Sequence, residues 1–162
     1  EELGRLENLT VTMLGDLKYG RTVHSLARLL SQFSNIKLNY VSPDILKMPK
    51  EVMDEVSQKG VPQAEFSSLE KVLPETDILY VTRVQKERFE DPADYETVKG
   101  AYVIDPKIMK AAKQEMAVMH PLPRVGEIST DFDEDPRAAY FRQMEYGLYV
   151  RMALLAMVLG KA

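Results

Sequence analysis

The stretch that decides the fold lies near the start of the chain and reads LTVTMLGDLKYGRTVHSLARLL, residues 9–30. Residues 9–14 form a short run of β-branched and apolar side chains that ends at Gly15, which is typical of a strand buried on both faces of a parallel sheet. Beyond Gly20, apolar residues recur at steps of three and four, as one face of a helix requires. They are Val23, Leu26, Leu30 and Phe33. The stretch therefore predicts a strand, a tight turn and a helix that packs on the sheet.

The same alternation of strands and helices continues along the chain. Further strands are predicted at residues 36–41, 65–67, 77–82, 101–104 and 116–119, and further helices at residues 49–59, 68–73 and 106–114. This order predicts an α/β fold of three layers, in which a mostly parallel, Rossmann-like sheet carries helices on both faces and right-handed crossovers connect the strands.

A long C-terminal helix is predicted between Pro136 and Gly160, because apolar residues keep the helical period over this segment. These residues are Phe141, Met144, Leu148, Met152, Leu155 and Val158. Arg151 lies within one turn of Leu148 and Leu155, so we expect it to be partly withdrawn from water and to need an anionic partner. A structural carboxylate and a substrate are both candidates for that partner.

The composition is that of one globular domain spanning residues 1–162. Hydrophobic residues make up 45% of the chain and charged residues 28%, which is the balance of a soluble protein with a proper core. The 21 basic and 25 acidic residues give a net charge of −4 and are spread along the chain, so nucleic acid is not an expected partner. No apolar run reaches the roughly 20 residues that span a bilayer, so no membrane partner is expected. The lack of cysteine excludes disulfides and suits the cytoplasm, and two histidines argue against a multi-histidine metal site.

The loops after residues 14, 82 and 119 are the candidate binding site, because ligands collect beyond the carboxyl ends of parallel strands. The first loop has two glycines that permit a tight turn before a helix N-terminus, where Arg21 adds a guanidinium group to the free amide donors. This arrangement suits a carboxylate or a phosphate, although a plain turn with a solvated arginine has the same pattern. The glycine fingerprints of dinucleotide and P-loop sites are absent from the sequence.

The second loop reads TRVQKER, residues 82–88. If extended geometry continues past the strand, Arg83 and Gln85 project from the same side and together suit a carboxylate with a neighbouring polar group. A solvated charge run is the simpler explanation for the three residues that follow, KER.

The third loop reads HPLPRVGE, residues 120–127. Its two prolines hold the chain extended and leave carbonyl oxygens free to accept from an amine or amide, while Arg124 is a candidate anion donor. A rigid connector with a packed histidine is the alternative explanation for this loop, and the same caution applies to both His120 and His24.

Taken together, these loops resemble the aspartate carbamoyltransferase family in order and spacing. The matching stretches are GDLKYGRTVHSL, TRVQKER and HPLPR, which begin at residues 15, 82 and 120. A fourth segment, residues 137–143 with residues 151–155, resembles the eukaryotic branch, in which the enzyme ends a multifunctional pyrimidine-synthesis polypeptide. The resemblance covers essentially all 162 residues and is to the C-terminal, L-aspartate-binding domain.

The resemblance assigns roles to residues in all three loops. It implies that Arg21 and Arg83 bind the carboxylates of L-aspartate and that Gln85 contacts its polar groups. It also implies that the backbone at Leu122 and Pro123 contacts carbamoyl phosphate.

The resemblance further implies a segment that closes over the substrate, from Lys86 to about Tyr95. Lys18 and Tyr19 resemble the residues that engage this segment. Gly126 departs from the family, which commonly has Asp or Asn at this position, so no loop-anchoring contact from that side chain is expected.

The implied reaction is attack by the aspartate amine on carbamoyl phosphate, with neither a metal nor an organic cofactor. The Ser-Thr-Arg-Thr loop that carries most carbamoyl phosphate ligands does not occur in the sequence, so the N-terminal carbamoyl-phosphate domain is absent and little activity is expected from the chain alone. The opening EELGR fits a cut through a longer protein or an expression boundary. The complete enzyme is implied to be a homotrimer that shares residues between subunits.

Three alternatives remain open from the sequence. Another amino-acid carbamoyltransferase domain, for ornithine, would favour an acidic or polar pocket, whereas the loops supply Arg83 and Gln85. A non-catalytic nucleotide-binding or regulatory α/β domain, or a scaffold that has lost catalysis, would use the same kind of sheet.

Overall fold

A five-stranded parallel sheet forms the centre of the computed structural model, which describes residues 1–161. The strands are β1 (Leu9–Leu14), β2 (Ile36–Val41), β3 (Gln63–Phe66), β4 (Ile78–Val81) and β5 (Ala117–Met119). They are ordered β3-β2-β1-β4-β5, and each neighbouring pair is parallel. The strand order reverses between β1 and β4, so a crevice is expected beyond the carboxyl ends of these two strands.

Helices and loops cover both faces of the sheet. The α-helices are α1 (Arg21–Leu30), α2 (Lys50–Ser57), α3 (Pro92–Val98) and α4 (Tyr140–Val158). A first core cluster, which packs α1 and α2 on the sheet, includes Val11, Met13, Val23 and Val52. A second core cluster includes Leu14, Leu73, Phe132 and Tyr140. Since neighbouring strand residues point to opposite faces, Met13 and Leu14 mark the two sides, and the predicted three-layer fold is confirmed.

The strand predicted at residues 101–104 is wrong. Ile104 forms one isolated bridge with Ile128, and the sheet ends at β5. Ile104 is fully buried in the second core cluster. The apolar residues of this segment therefore reflect packing rather than strand pairing.

The helices predicted at residues 68–73 and 106–114 are also wrong. The first segment contains turns that lead into a 3₁₀ turn at Leu73–Glu75, and the second contains the 3₁₀ turn Ile108–Ala111. Each of these turns buries an apolar side chain in the second core cluster. One turn is enough to bury that side chain, so the apolar spacing does not distinguish it from a longer helix.

Helix α3 lies where only a closing loop was expected. The Asp91 side chain caps its N-terminus by accepting a hydrogen bond from the Ala93 N–H at 2.8 Å, and Pro92 opens the helix. Aspartate at the cap followed by proline is a start signal that the sequence contains.

Helix α4 is anchored mainly through its first turn. Tyr140 is buried, whereas Leu148, Met152 and Leu155 are 54%, 57% and 63% exposed. Arg151 is exposed as well, which corrects the expectation that it is withdrawn from water. The cause is that the second half of α4 has no cover from residues 1–161. Over the same residues, no helix combines the length and the apolar character needed to cross a membrane.

Candidate functional site

The three candidate loops meet beyond the carboxyl ends of β1, β4 and β5, where they enclose a cavity of about 220 Å³. Its lining includes Tyr19 and Arg21 from the first loop, Arg83 and Gln85 from the second, and His120, Leu122 and Pro123 from the third. Residues separated by about a hundred positions in sequence therefore share one small space.

Steric constraints fix the shape of the first loop. Gly15 has a φ of 112°, and a Cβ there would meet the Thr82 carbonyl oxygen at 2.4 Å. A Cβ on Gly20 would likewise meet the Asp16 carbonyl oxygen at 2.4 Å. Helix α1 then begins at Arg21 without a side-chain cap. The Val23 and His24 N–H groups donate to the Gly20 carbonyl, whereas the N–H groups of Arg21 and Thr22 have no hydrogen-bond acceptor within residues 1–161 and are free for an anion.

Asp16 is a buried carboxylate in the wall of the cavity, 2% exposed. It accepts a hydrogen bond from the Tyr19 N–H at 2.8 Å, which closes the turn. Burial raises the pKa of Asp16, although the Tyr19 hydrogen bond and the charge of Arg88 oppose the change. Sequence reasoning missed this residue because an aspartate after a glycine also occurs in any surface turn.

The side chains of Arg83 and Gln85 in the second loop line the cavity, but each has a partner within the loop. Arg83 Nη2 lies 3.2 Å from Glu87 Oε1, and the Arg83 side chain is 30% exposed. Gln85 accepts a hydrogen bond from Arg88 Nε, and Arg88 Nη1 donates to the Tyr19 carbonyl at 3.2 Å. Arg88 thus ties the first loop to the second, which corrects its interpretation as an ordinary surface residue.

Three aromatic rings link the first loop to the segment that contains α3. The Tyr19 ring meets Phe89 edge-on at 6.1 Å, and Phe89 meets Tyr95 edge-on at 5.7 Å. The Lys18 ammonium lies 5.0 Å from the Tyr19 ring centroid. Tyr19 therefore contacts this segment through Phe89, and Lys18 lies against the Tyr19 ring.

A second cavity, of about 370 Å³, lies beneath the same segment, between Tyr95 and Gly126. A Cβ on Gly126 would meet nothing within 4 Å. The space beside the glycine is therefore open.

A buried histidine organises the third loop. His120 is 1% exposed, its Nδ1 accepts a hydrogen bond from the Leu122 N–H at 2.8 Å, and its Nε2 lies 2.7 Å from Glu127 Oε1. Leu122 has a φ of 51°, and the Leu122–Pro123 peptide bond is cis. No backbone hydrogen bond within the described chain ends on the carbonyl oxygens of residues 120–123.

Glu127 remains ionised even though it is partly buried. Burial raises its pKa, but hydrogen bonds from His120 and from the backbone N–H groups of Gly126 and Val125 outweigh that effect and hold the pKa at about 2. Sequence reasoning did not select this residue, because nothing in the spacing from His120 reveals that the two side chains meet.

Four residues considered from the sequence lie outside the cavity lining: Lys18, His24, Arg124 and Arg151. Arg124 Nη2 pairs with Asp133 Oδ2 at 2.5 Å, and the hydrogen bonds from Arg124 lower the pKa of the Asp133 carboxyl. His24 Nε2 lies 2.8 Å from the Leu17 carbonyl oxygen. Arg124 and His24 are thus engaged within the fold, and Arg151 is exposed on α4.

Comparison with known proteins identifies the family. The family model described as aspartate/ornithine carbamoyltransferase, Asp/Orn binding domain, matches residues 7–158. The chain belongs to this family. All three cavity loops lie within the matched range, so the carbamoyltransferase domain includes the whole candidate site.

Individual carbamoyltransferases agree with this assignment. The multifunctional protein pyr1-3 of Dictyostelium discoideum is 58% identical over 160 residues, which are 99% of this chain and 7% of that protein. The solved catalytic subunit of M. jannaschii aspartate transcarbamoylase has a TM-score of 0.91 at 45% identity, covering 99% of this chain and 53% of that one. Aspartate transcarbamoylase from Trypanosoma cruzi, solved with aspartate and phosphate, has a TM-score of 0.84 at 47% identity, covering 95% of this chain and 48% of that one.

These matches confirm the expected resemblance to aspartate carbamoyltransferases, including the multifunctional type. The chain spans about half the length of the solved relatives and a much smaller part of the multifunctional one.

Proposed function

We propose that this chain is the L-aspartate-binding half of an aspartate carbamoyltransferase, which transfers a carbamoyl group from carbamoyl phosphate to L-aspartate in pyrimidine synthesis. The observation that carries the proposal is the meeting of Arg21, Arg83 and Gln85 at one cavity of about 220 Å³. Two guanidinium groups complement the two carboxylates of a small amino acid, because each offers a fork of donors that matches carboxylate geometry.

The charge of the cavity favours aspartate over ornithine. Arg21, Arg83 and Arg88 line it, whereas Asp16 is the carboxylate in the same lining. The cationic side chain of ornithine would face this excess of positive charge, whereas the second carboxylate of aspartate would be attracted by it. The Trypanosoma cruzi relative, which was solved with aspartate and phosphate, supports the same choice.

Each loop has a distinct task in the proposed reaction. Arg21 and Arg83 hold the carboxylates of aspartate, and its carboxylate replaces Glu87 as the partner of Arg83. Gln85 contacts the polar groups of the amino acid. The carbonyl of Leu122 and the backbone at Pro123 contact carbamoyl phosphate, whose amide N–H groups need acceptors.

The chemistry balances without a cofactor because carbamoyl phosphate carries its own leaving group. The aspartate amine forms the new C–N bond at the carbonyl carbon, the C–O bond to phosphate breaks, and the departing phosphate takes up the proton that the amine loses. Most of the rate enhancement then comes from holding two anionic substrates in line and from stabilising the developing charge.

We also propose that a carbamoyl-phosphate-binding domain completes the enzyme and covers the second half of α4. The exposed apolar side chains of Leu148, Met152 and Leu155 support this, because such a surface normally lies at an interface. The greater length of the relatives also supports it. We expect the 162-residue chain alone to have little activity, and the homotrimer and the cytoplasmic location implied by the resemblance remain predictions.

The test is formation of carbamoyl aspartate by this chain joined to a carbamoyl-phosphate domain, with aspartate or ornithine as the acceptor. We expect transfer to aspartate and none to ornithine. Preference for ornithine, or transfer to neither amino acid, would refute the proposal. Calorimetric binding of a nucleotide that competes with aspartate would instead support the regulatory alternative.

A further inference from the structure

We propose that His120 and Glu127 form a buried positioning pair that directs the Leu122 carbonyl into the cavity, with the imidazole held as the tautomer protonated at Nε2. The inference rests on the proposed function, since it takes carbamoyl phosphate as the ligand of that carbonyl. Neither residue needs to touch the substrate, because the pair acts through the backbone of Leu122.

The tautomer follows from the two contacts of the ring. The Leu122 N–H donates to Nδ1 at 2.8 Å, so Nδ1 has no hydrogen. In a neutral imidazole the hydrogen is then at Nε2, where it points to Glu127 Oε1 at 2.7 Å. An ionised carboxylate facing Nε2 favours this arrangement, because a carboxylate accepts and cannot donate.

The backbone of Leu122 needs such support. Its φ of 51° is uncommon for a residue with a side chain and persists only where the surroundings determine it. The hydrogen bond from the Leu122 N–H to His120 fixes one side of the residue. Leu122 itself lines the cavity, and its carbonyl accepts no backbone hydrogen bond from residues 1–161.

The pair is itself held from two directions. Glu127 Oε2 accepts hydrogen bonds from the N–H groups of Gly126 at 3.0 Å and Val125 at 3.2 Å. The His120 N–H donates to Gln143 Oε1 of α4 at 3.0 Å. The orientation of the ring is therefore determined by the third loop and α4 together and does not depend on solvent.

The first experiment tests the pair without reference to the reaction. In this chain labelled with ¹⁵N-histidine, NMR of the ring nitrogens should show His120 with a bare Nδ1 and a protonated Nε2. Glu127→Ala should weaken that preference, because it removes the acceptor at Nε2 but leaves the Leu122 N–H at Nδ1, while His24 keeps its own signals. A ring protonated at Nδ1 would overturn the proposal, because it would set two donors against each other at Leu122.

The second experiment tests positioning in the enzyme completed with its carbamoyl-phosphate domain. The amide oxygen of asparagine comes near the place of Nδ1, whereas the amide of glutamine comes near Nε2. We therefore expect His120→Gln to raise the KM for carbamoyl phosphate by about tenfold and His120→Asn by less than about threefold, since only the second keeps an acceptor for Leu122. The pair His24→Gln and His24→Asn is the matched control and should leave this KM unchanged.

Three outcomes separate the alternatives. Equal rises in KM for the two His120 variants, or losses of activity that follow only the folded fraction in thermal unfolding, would reduce the pair to a structural role. The predicted inequality would support positioning. Absence of carbamoyl transfer by the unmodified complete enzyme would refute the proposed function, and the ring-nitrogen spectrum alone would then decide whether the His120–Glu127 pair exists.

Discussion

The second and third loops border the same cavity but are held in opposite ways. In the third loop, the 1% exposed His120 ring connects Leu122 to Glu127 through hydrogen bonds shielded from water. In the second loop, Arg83 pairs with Glu87, whose side chain is 65% exposed. Shielded hydrogen bonds fix a geometry, whereas an exposed ion pair contributes little and exchanges partners easily. The third loop is therefore the more rigidly held of the two, whereas the second is held by an exposed ion pair that can exchange partners.

The largest expected effect on activity comes from removing the Arg83 guanidinium group. Arg83→Ala in the complete enzyme should lower kcat/KM for aspartate by roughly 30-fold to several-thousand-fold, because losing the charged partner of a bound carboxylate costs about 2–5 kcal/mol. Steady-state kinetics with aspartate as the varied substrate measure this. Arg124→Ala is the control, since its guanidinium pairs with Asp133 outside the cavity. An aspartate dependence unchanged by Arg83→Ala would defeat the site.

The contacts of Glu127 in the third loop should make the stability of the protein depend on pH in the acid range. The folded-state pKa of Glu127 is about 2, below its ordinary value of 4.5, so its contribution to stability is complete above pH 4.5 and is lost as the pH falls towards 2. We expect Glu127→Gln to remove roughly 2–3 kcal/mol of this pH-dependent stability in urea unfolding between pH 7 and pH 3. Glu55→Gln is the exposed control, because Glu55 has its pKa lowered by the Arg28 hydrogen bond but lies in solvent. Parallel curves for the Glu127→Gln variant and the unmodified protein would show that the Glu127 carboxylate is not specifically stabilised.

A smaller effect on aspartate use is expected from the contact between the first loop and the segment of residues 86–95. Phe89→Leu should raise the KM for aspartate by about three- to tenfold, because edge-on ring contacts contribute about 0.5–1.5 kcal/mol each. The partner in the contact is Tyr19, whose ring centroid lies 6.1 Å from that of Phe89. A double-mutant cycle with Tyr19→Leu checks the contact, since the two changes should be non-additive. Strict additivity would mean that the two rings do not act together.

The sequence predicts the parts of this molecule that depend on local pattern. The strand, turn and helix of residues 9–30 follow from apolar spacing and two glycines. The meeting of three loops follows from the general rule for parallel sheets. The family match adds the expectation that Arg21 and Arg83 act together, and the structure puts both in one lining.

The wrong predictions from the sequence share a physical origin. Each concerns which part of the folded chain, or solvent, a side chain contacts. Ile104 is apolar and buried, yet spacing does not reveal that it packs instead of extending the sheet. Arg151 lies on an apolar helix, but the spacing of the apolar residues does not reveal whether another part of the chain packs over Arg151, which is exposed. Arg88 looks like one member of a charge run until the fold brings it to the Tyr19 carbonyl. Contacts between distant segments decide all three cases.

The smallest expected effect concerns Gly126, which lies in the third loop and lines the larger cavity together with Lys86 and Tyr95. Its N–H donates to Glu127, but its φ is not in the positive range, and a Cβ there would meet nothing within 4 Å. Alanine keeps the N–H and restricts the unfolded chain, so Gly126→Ala should stabilise the protein by about 0.4–1 kcal/mol in urea unfolding. Gly15→Ala is the opposite case, because a φ of 112° and a Cβ 2.4 Å from the Thr82 oxygen should make it strongly destabilising. If Gly126→Ala destabilised the protein as well, the third loop would require a glycine there, and its rigidity would depend on backbone freedom as well as on the buried hydrogen bonds of His120.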